Sequence, residues 1–119
     1  MYRIVSVSNN VRLLINRNDA LAIAGYSVIS PRVPEETPLL LHRERADAVV
    51  IGHSIPAEER ETLIAAIRTA KPEIPIIFVY QHPEGAPEPR ADASLDVTDS
   101  PGPLIQYLAA KLAPRSAAD

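Results

Sequence analysis

The chain has 119 residues, a net charge of −3 and no cysteine. That length fits one domain able to bury roughly two-thirds of its unfolded surface, and the missing thiols exclude a disulfide framework or a thiolate metal site. Basic and acidic residues are interspersed, as where Arg43 and Arg45 adjoin Glu44 and Asp47, so there is no basic stripe for nucleic acid. Met1-Tyr2-Arg3-Ile4 runs straight into an apolar strand pattern without the features of a signal peptide, and no apolar run approaches the ~20 residues of a membrane span. The expectation is a soluble cytoplasmic protein that engages neither membrane nor nucleic acid.

In chain order, the first strand is predicted at Arg3–Val7, closed by Ser8-Asn9-Asn10. A helix follows from about Val11 to Ala24, with Leu14 and Leu21 two turns apart on one face and Gly25 placed to end it at positive φ. Tyr26–Ser30 reads as a short second strand. Pro34 and Pro38 cannot both lie inside a helix, so the second helix is expected to be short, with Thr37 as N-cap, Pro38 at its first position and an end near Arg45. Ala48–Gly52 is the most uniformly apolar run, as a central strand covered on both faces requires.

The third helix is predicted to begin near Pro56. Glu58, Glu59 and Glu61 open it, Arg68 and Lys71 close it in keeping with the macrodipole, and Leu63, Ile67 and Ala70 form its buried stripe. Ile76–Tyr80 is the fourth strand. Gln81 to Arg90 carries Pro83, Pro87 and Pro89, each costing ~3 kcal/mol in a helix interior, so a loop is expected there. A weak fifth strand spans about Ser94–Val97. The last helix starts near Ser100-Pro101 or Gly102-Pro103 and buries Leu104, Leu108 and Leu112. One domain over residues 1–113 with a frayed tail at 114–119 is expected. Alternation of strands and helices implies an α/β fold with a parallel sheet.

Three segments resemble the receiver domain of response regulators. Ala46-Asp47-Ala48-Val49-Val50-Ile51-Gly52-His53-Ser54-Ile55-Pro56 is similar to the receiver's third strand, acceptor position and following proline. Pro72-Glu73-Ile74-Pro75-Ile76-Ile77-Phe78-Val79 resembles the entry to its fourth strand, and Ala24-Gly25-Tyr26-Ser27-Val28 the turn into its second. The resemblance spans about Tyr2 to Leu112. It implies a three-layer, doubly wound, five-stranded parallel sheet of order 2-1-3-4-5, flavodoxin-like, with a site at the C-terminal strand ends. Here the Pro-rich loop would replace the family's fourth helix.

Receiver chemistry uses a carboxylate nucleophile, an acidic pair for Mg²⁺, a hydroxyl and a lysine. By the resemblance, the acceptor position falls on Gly52, the acidic pair on Ser8 and Asn9, the hydroxyl position on Tyr80, and the lysine on Val97, or on Asp96 if the register slips by one. The implied function is a degenerate, stand-alone receiver: a phosphorylation-independent, non-enzymatic signalling module in a two-component or phosphorelay setting. It would act on a signalling protein, a histidine kinase or a second copy of itself, with no cofactor and no metal. The alternative is a small-ligand or anion sensor built on the vestigial pocket of Ser8, Asn9, Gly52, His53, Tyr80 and Val97. Ser94 and Tyr107 mark a candidate interaction face beside the Pro-rich loop.

Each of these residues also has a plain structural reading. His53 can be a hydrogen-bonded strand-end residue, and His42 and His82 lack ligand spacing with it. Ser8-Asn9-Asn10 can be a polar turn capping the first helix. Ser54 near His53 has no carboxylate at the spacing of a hydrolase triad. Tyr107 can simply lean over the loop.

Overall fold

A computed structural model describes residues 1–112; the tail expected at 114–119 lies outside the described residues. Five strands, β1 (Arg3–Val7), β2 (Ser27–Ile29), β3 (Ala48–Gly52), β4 (Ile76–Tyr80) and β5 (Ala93–Asp96), form one parallel sheet. The order is β2-β1-β3-β4-β5, as the sequence implied. Among the described residues four α-helices connect or follow them: α1 (Val11–Ile23), α2 (Thr37–Arg43), α3 (Ala57–Ala70) and α4 (Gly102–Lys111). Between β4 and β5 there is no helix, only turns and irregular chain.

Alternation along the strands divides the core into two layers, because successive side chains point to opposite faces. Val5, Val7, Val49, Ile51, Ile76 and Phe78 pack with Leu41 of α2 and Leu63, Ile64 and Ile67 of α3. Ile4, Ala48, Val50, Ile77 and Val79 pack with Leu21 of α1 and Leu104 and Leu108 of α4. Both β3 and β4 are buried along their whole length, which explains their unbroken apolar runs.

Local chemistry sets the helix ends. Asn10 caps α1, its Oδ1 accepting from the Leu13 amide at 3.0 Å, and Gly25 follows the helix at φ +100°. The second helix departs from expectation at its start. A 3-10 turn, Pro34–Glu36, precedes α2, so Glu36 takes the cap position and Thr37 is the first helical residue. Thr37 is buried, and its hydroxyl donates to the Pro34 carbonyl at 2.7 Å instead of accepting an amide. Proline at 34 favours the tight turn, which takes up the free amides one residue earlier than a simple cap would. In α3 the buried stripe is Leu63, Ile64 and Ile67, with Ala70 half-buried at the last helical position.

Candidate functional site

The C-terminal ends of β1 and β3 lie side by side, with Val7 in register with Ile51, so Ser8 follows next to Gly52. Position 52 falls on the sheet face that packs against α1 and α4, together with Ala48 and Val50. A Cβ at Gly52 would collide with Nη2 of Arg17 and would lie 3.5 Å from its Cζ and 3.8 Å from Ser8 Oγ. The guanidinium of Arg17 therefore occupies the space that a side chain at 52 would need.

Arg17 reaches this position from the second turn of α1. It lies between Leu14 and Leu21, at i+3 and i−4, on the helix stripe facing the sheet. Its side chain is only 8 % exposed. Nη1 donates to Ser6 Oγ at 3.0 Å and to the Val7 carbonyl at 3.1 Å. Among the described residues Nη2 and Nε make no hydrogen bond, and no carboxylate pairs with the group. Burial pushes its pKa down to about 10, so it stays charged at neutral pH. Arg17 was not among the residues singled out from the sequence.

A cavity of about 140 Å³ opens beside Arg17. Asn16, His53 and Gln81 contribute its polar rim; Leu13, Val97 and Leu104 are among its apolar walls. The structure thus gathers Arg17, His53 and Val97 around one space, with Gly52 and Ser8 beside the guanidinium. Ser8 and Asn9 are engaged locally. The Ser8 and Ser54 hydroxyls are 2.9 Å apart, the Asn9 amide donates to Ser54 Oγ at 3.0 Å, and the Asn10 amide donates to Ser8 Oγ at 3.0 Å.

Tyr80 points to the opposite sheet face, stacked with Phe78 at 6.1 Å and edge-on to His82 at 5.5 Å. Gly85 packs between Tyr80 and His53: a Cβ there would lie 2.9 Å from Tyr80 Cβ and 3.1 Å from His53 Cβ. Tyr80 is thus not brought into the cavity. Asp96, the other candidate for the lysine position, is held by Thr98 and faces His82 Nε2 at 3.3 Å. The hydrogen bonds from the Thr98 side chain and amide hold the Asp96 carboxyl below its usual range.

The loop between β4 and β5 is built around Glu88, which is 3 % exposed. Arg60 of α3 donates from Nε to Glu88 Oε1 at 2.9 Å and from Nη1 to the Ile55 carbonyl at 2.7 Å, while its guanidinium lies 4.5 Å from the Phe78 ring centre. The Arg90 amide and Nη1 donate to Glu88 Oε2 at 3.0 and 3.2 Å. Burial alone would raise the Glu88 pKa, but these bonds from Arg60 and Arg90 outweigh it and hold the carboxyl below its ordinary value. Ser94 completes the anchor, accepting from the Glu88 amide at 2.9 Å and donating to its carbonyl at 3.1 Å. Ser94 shares the face of Phe78, its register partner, whereas Tyr107 is half-buried against the other core layer. The two flank the β5 edge from opposite sides.

The receiver family's Mg²⁺ does not fit this residue set. Ser8, Asn9 and Gly52 offer no carboxylate, and the charge beside them is the Arg17 cation, which repels a metal ion. Among the described residues no three His, Asp or Glu cluster as metal ligands. Nor is any described helix long and apolar enough to cross a membrane.

No family model and no curated protein matches the sequence. Solved structures match the fold. A CheY-like response regulator receiver domain protein from Methanospirillum hungatei superposes with a TM-score of 0.80 at 19% identity, covering 100% of this chain and 99% of that one. The receiver domain of the TMAO respiratory response regulator TorR gives 0.77 at 16% identity over 94% of this chain and 97% of its own. The response regulator TrrA from Thermotoga maritima, in complex with Mg²⁺ and BeF, gives 0.77 at 18% identity over 91% and 96%. The chain therefore has the receiver fold from end to end of its described length.

Proposed function

We propose that this domain is a receiver-like signalling module that works without phosphorylation, through contacts with a protein partner or a second copy of itself. One observation carries the reading: a permanent cation, Arg17, fills the space over Gly52 where a receiver would present its acceptor. Phosphoryl transfer needs a nucleophile and a site whose charge changes on modification. Here the nucleophile is missing and the positive charge is built in, so Arg17 carries its charge at neutral pH without any modification. The module is read as non-enzymatic for the same reason. Output then depends on surfaces that are always presented, and the β5 edge with Ser94 and Tyr107 on its two sides is the candidate face.

The test is incubation with acetyl phosphate and Mg²⁺, followed by intact-mass analysis. No phosphoryl adduct is expected; stoichiometric incorporation would defeat the reading. For the face, Tyr107→Glu is expected to stay folded and to lose self-association or capture of the partner. A folded variant with unchanged association moves the interface elsewhere.

A second reading, a small-ligand sensor, is favoured by the same side chain. A buried guanidinium beside a cavity, with no carboxylate partner among the described residues, supports recognition of an anion.

A further inference from the structure

We propose that the cavity beside Arg17 is a binding site for a small monocarboxylate, its carboxylate seated on the free side of the guanidinium and its short apolar body among Leu13, Val97 and Leu104. The inference rests on the ligand-sensing reading above and names the ligand's chemistry.

Three observations converge on that class. First, the charge is single. Among the residues lining the cavity Arg17 is the one fixed cation, and Nη1 is already spent on Ser6 and Val7. Nη2 and Nε remain as donors, the edge that a carboxylate meets with two parallel bonds. A dianionic phosphate would be left half-neutralised against largely apolar walls, which is costly. Second, the walls are mixed in the sense an organic acid needs. Asn16, Gln81 and His53 stand at the rim, while Leu13, Val79, Val97, Pro101 and Leu104 supply apolar surface that an inorganic ion cannot use. Third, the size is small. At ~30 Å³ per water, about 140 Å³ is the volume of four or five waters, room for an acid of a few carbons.

The position links the ligand to the fold. Leu13 and Arg17 belong to α1, Leu104 to α4, and Val97 follows β5, so a bound acid bridges the two helices on one sheet face and the β5 edge. Occupancy would stiffen the same edge that carries the candidate partner face.

The experiment titrates the full chain with sodium butyrate at fixed ionic strength, with sodium phosphate and sodium chloride as parallel arms. Methyl NMR shifts of Leu13, Val97 and Leu104 and the thermal midpoint are followed. Saturable shifts with butyrate are expected, at least tenfold weaker in Arg17→Met, and absent in Val97→Phe, which fills the cavity and leaves the Arg17 bonds in place. Phosphate that binds as well as butyrate overturns the carboxylate assignment while the anion reading stands. If none of the three salts gives saturable shifts in the folded protein, the ligand reading falls with it. Butyrate binding that is unchanged in Arg17→Met also overturns the proposal.

Discussion

Burying a guanidinium without a carboxylate costs several kcal/mol in desolvation, whereas the two hydrogen bonds from Arg17 to Ser6 and Val7 return about 0.5–1.5 kcal/mol each. The cost wins, so Arg17 is expected to lower stability and to be kept for what it does. Arg17→Met, of similar length, should therefore unfold at an equal or higher urea concentration than the parent. A loss above ~2 kcal/mol would make Arg17 a structural residue instead. The charge also leaves a signature at high pH. Its folded pKa, about 10, lies below the ordinary value for arginine, so the unfolded chain holds the proton more tightly in the interval above it. Stability of the parent relative to Arg17→Met should then rise as pH climbs through about 10, measured by paired urea melts. How far was this residue legible? Its place on the stripe between Leu14 and Leu21 was open to reading, but an arginine on such a stripe usually extends its head to water. What turns it inward is Gly52, 35 positions away in sequence and adjacent only once β3 lies beside α1. The site's missing acids could be read from the residues at matching positions; the cation that replaced them needed the tertiary fold.

At the scale of elements, the Pro-rich connection acts as a fixed cover for the end of α3. Removing Arg60 leaves the buried Glu88 carboxylate with only Arg90 and its amide as partners, so Arg60→Ala should cost up to about 3–5 kcal/mol, more than Arg60→Met combined with Glu88→Leu. A double-mutant cycle in urea checks this, and near-additivity would show the pair to be incidental. Because Glu88 is held below its ordinary pKa, it stabilises the fold above the unfolded carboxyl pKa of about 4.3, and that stability drains away as pH falls through its folded value. Glu88→Gln should flatten the stability profile below about pH 4. The three prolines announced the loss of a helix here, and the helices and strands elsewhere were legible from their periodicity and punctuation. The loop's inner structure was not. A carboxylate is rarely so buried, and Arg60 lies 28 residues before Glu88 on a different element. The second helix began differently for a related reason: whether Thr37 accepts or donates depends on the turn that Pro34 makes before it.

For the whole molecule, the sheet separates two regions of chemistry. The face toward α2 and α3 carries Tyr80, Phe78 and the Arg60–Glu88 pair, and the face toward α1 and α4 carries Arg17 and the cavity. In a receiver, crowded carboxylates at the strand ends repel one another until a metal binds. No such strain exists between Ser8, Asn9 and Gly52, so millimolar Mg²⁺ should leave the melting temperature unchanged. A saturable rise would place a metal site at the strand ends after all. The guanidinium over Gly52 also limits which neighbouring sequences are functional. A lone Gly52→Asp exchange would set a new carboxylate against Arg17, whose guanidinium has to shift to admit it and is then placed to pair with it. Paired in that way, the new oxygens are held by the guanidinium rather than presented to a phosphodonor. Restoring an acceptor therefore takes a change at Arg17 as well as at Gly52, and the acidic pair absent from Ser8 and Asn9 would still be needed to hold a metal beside it.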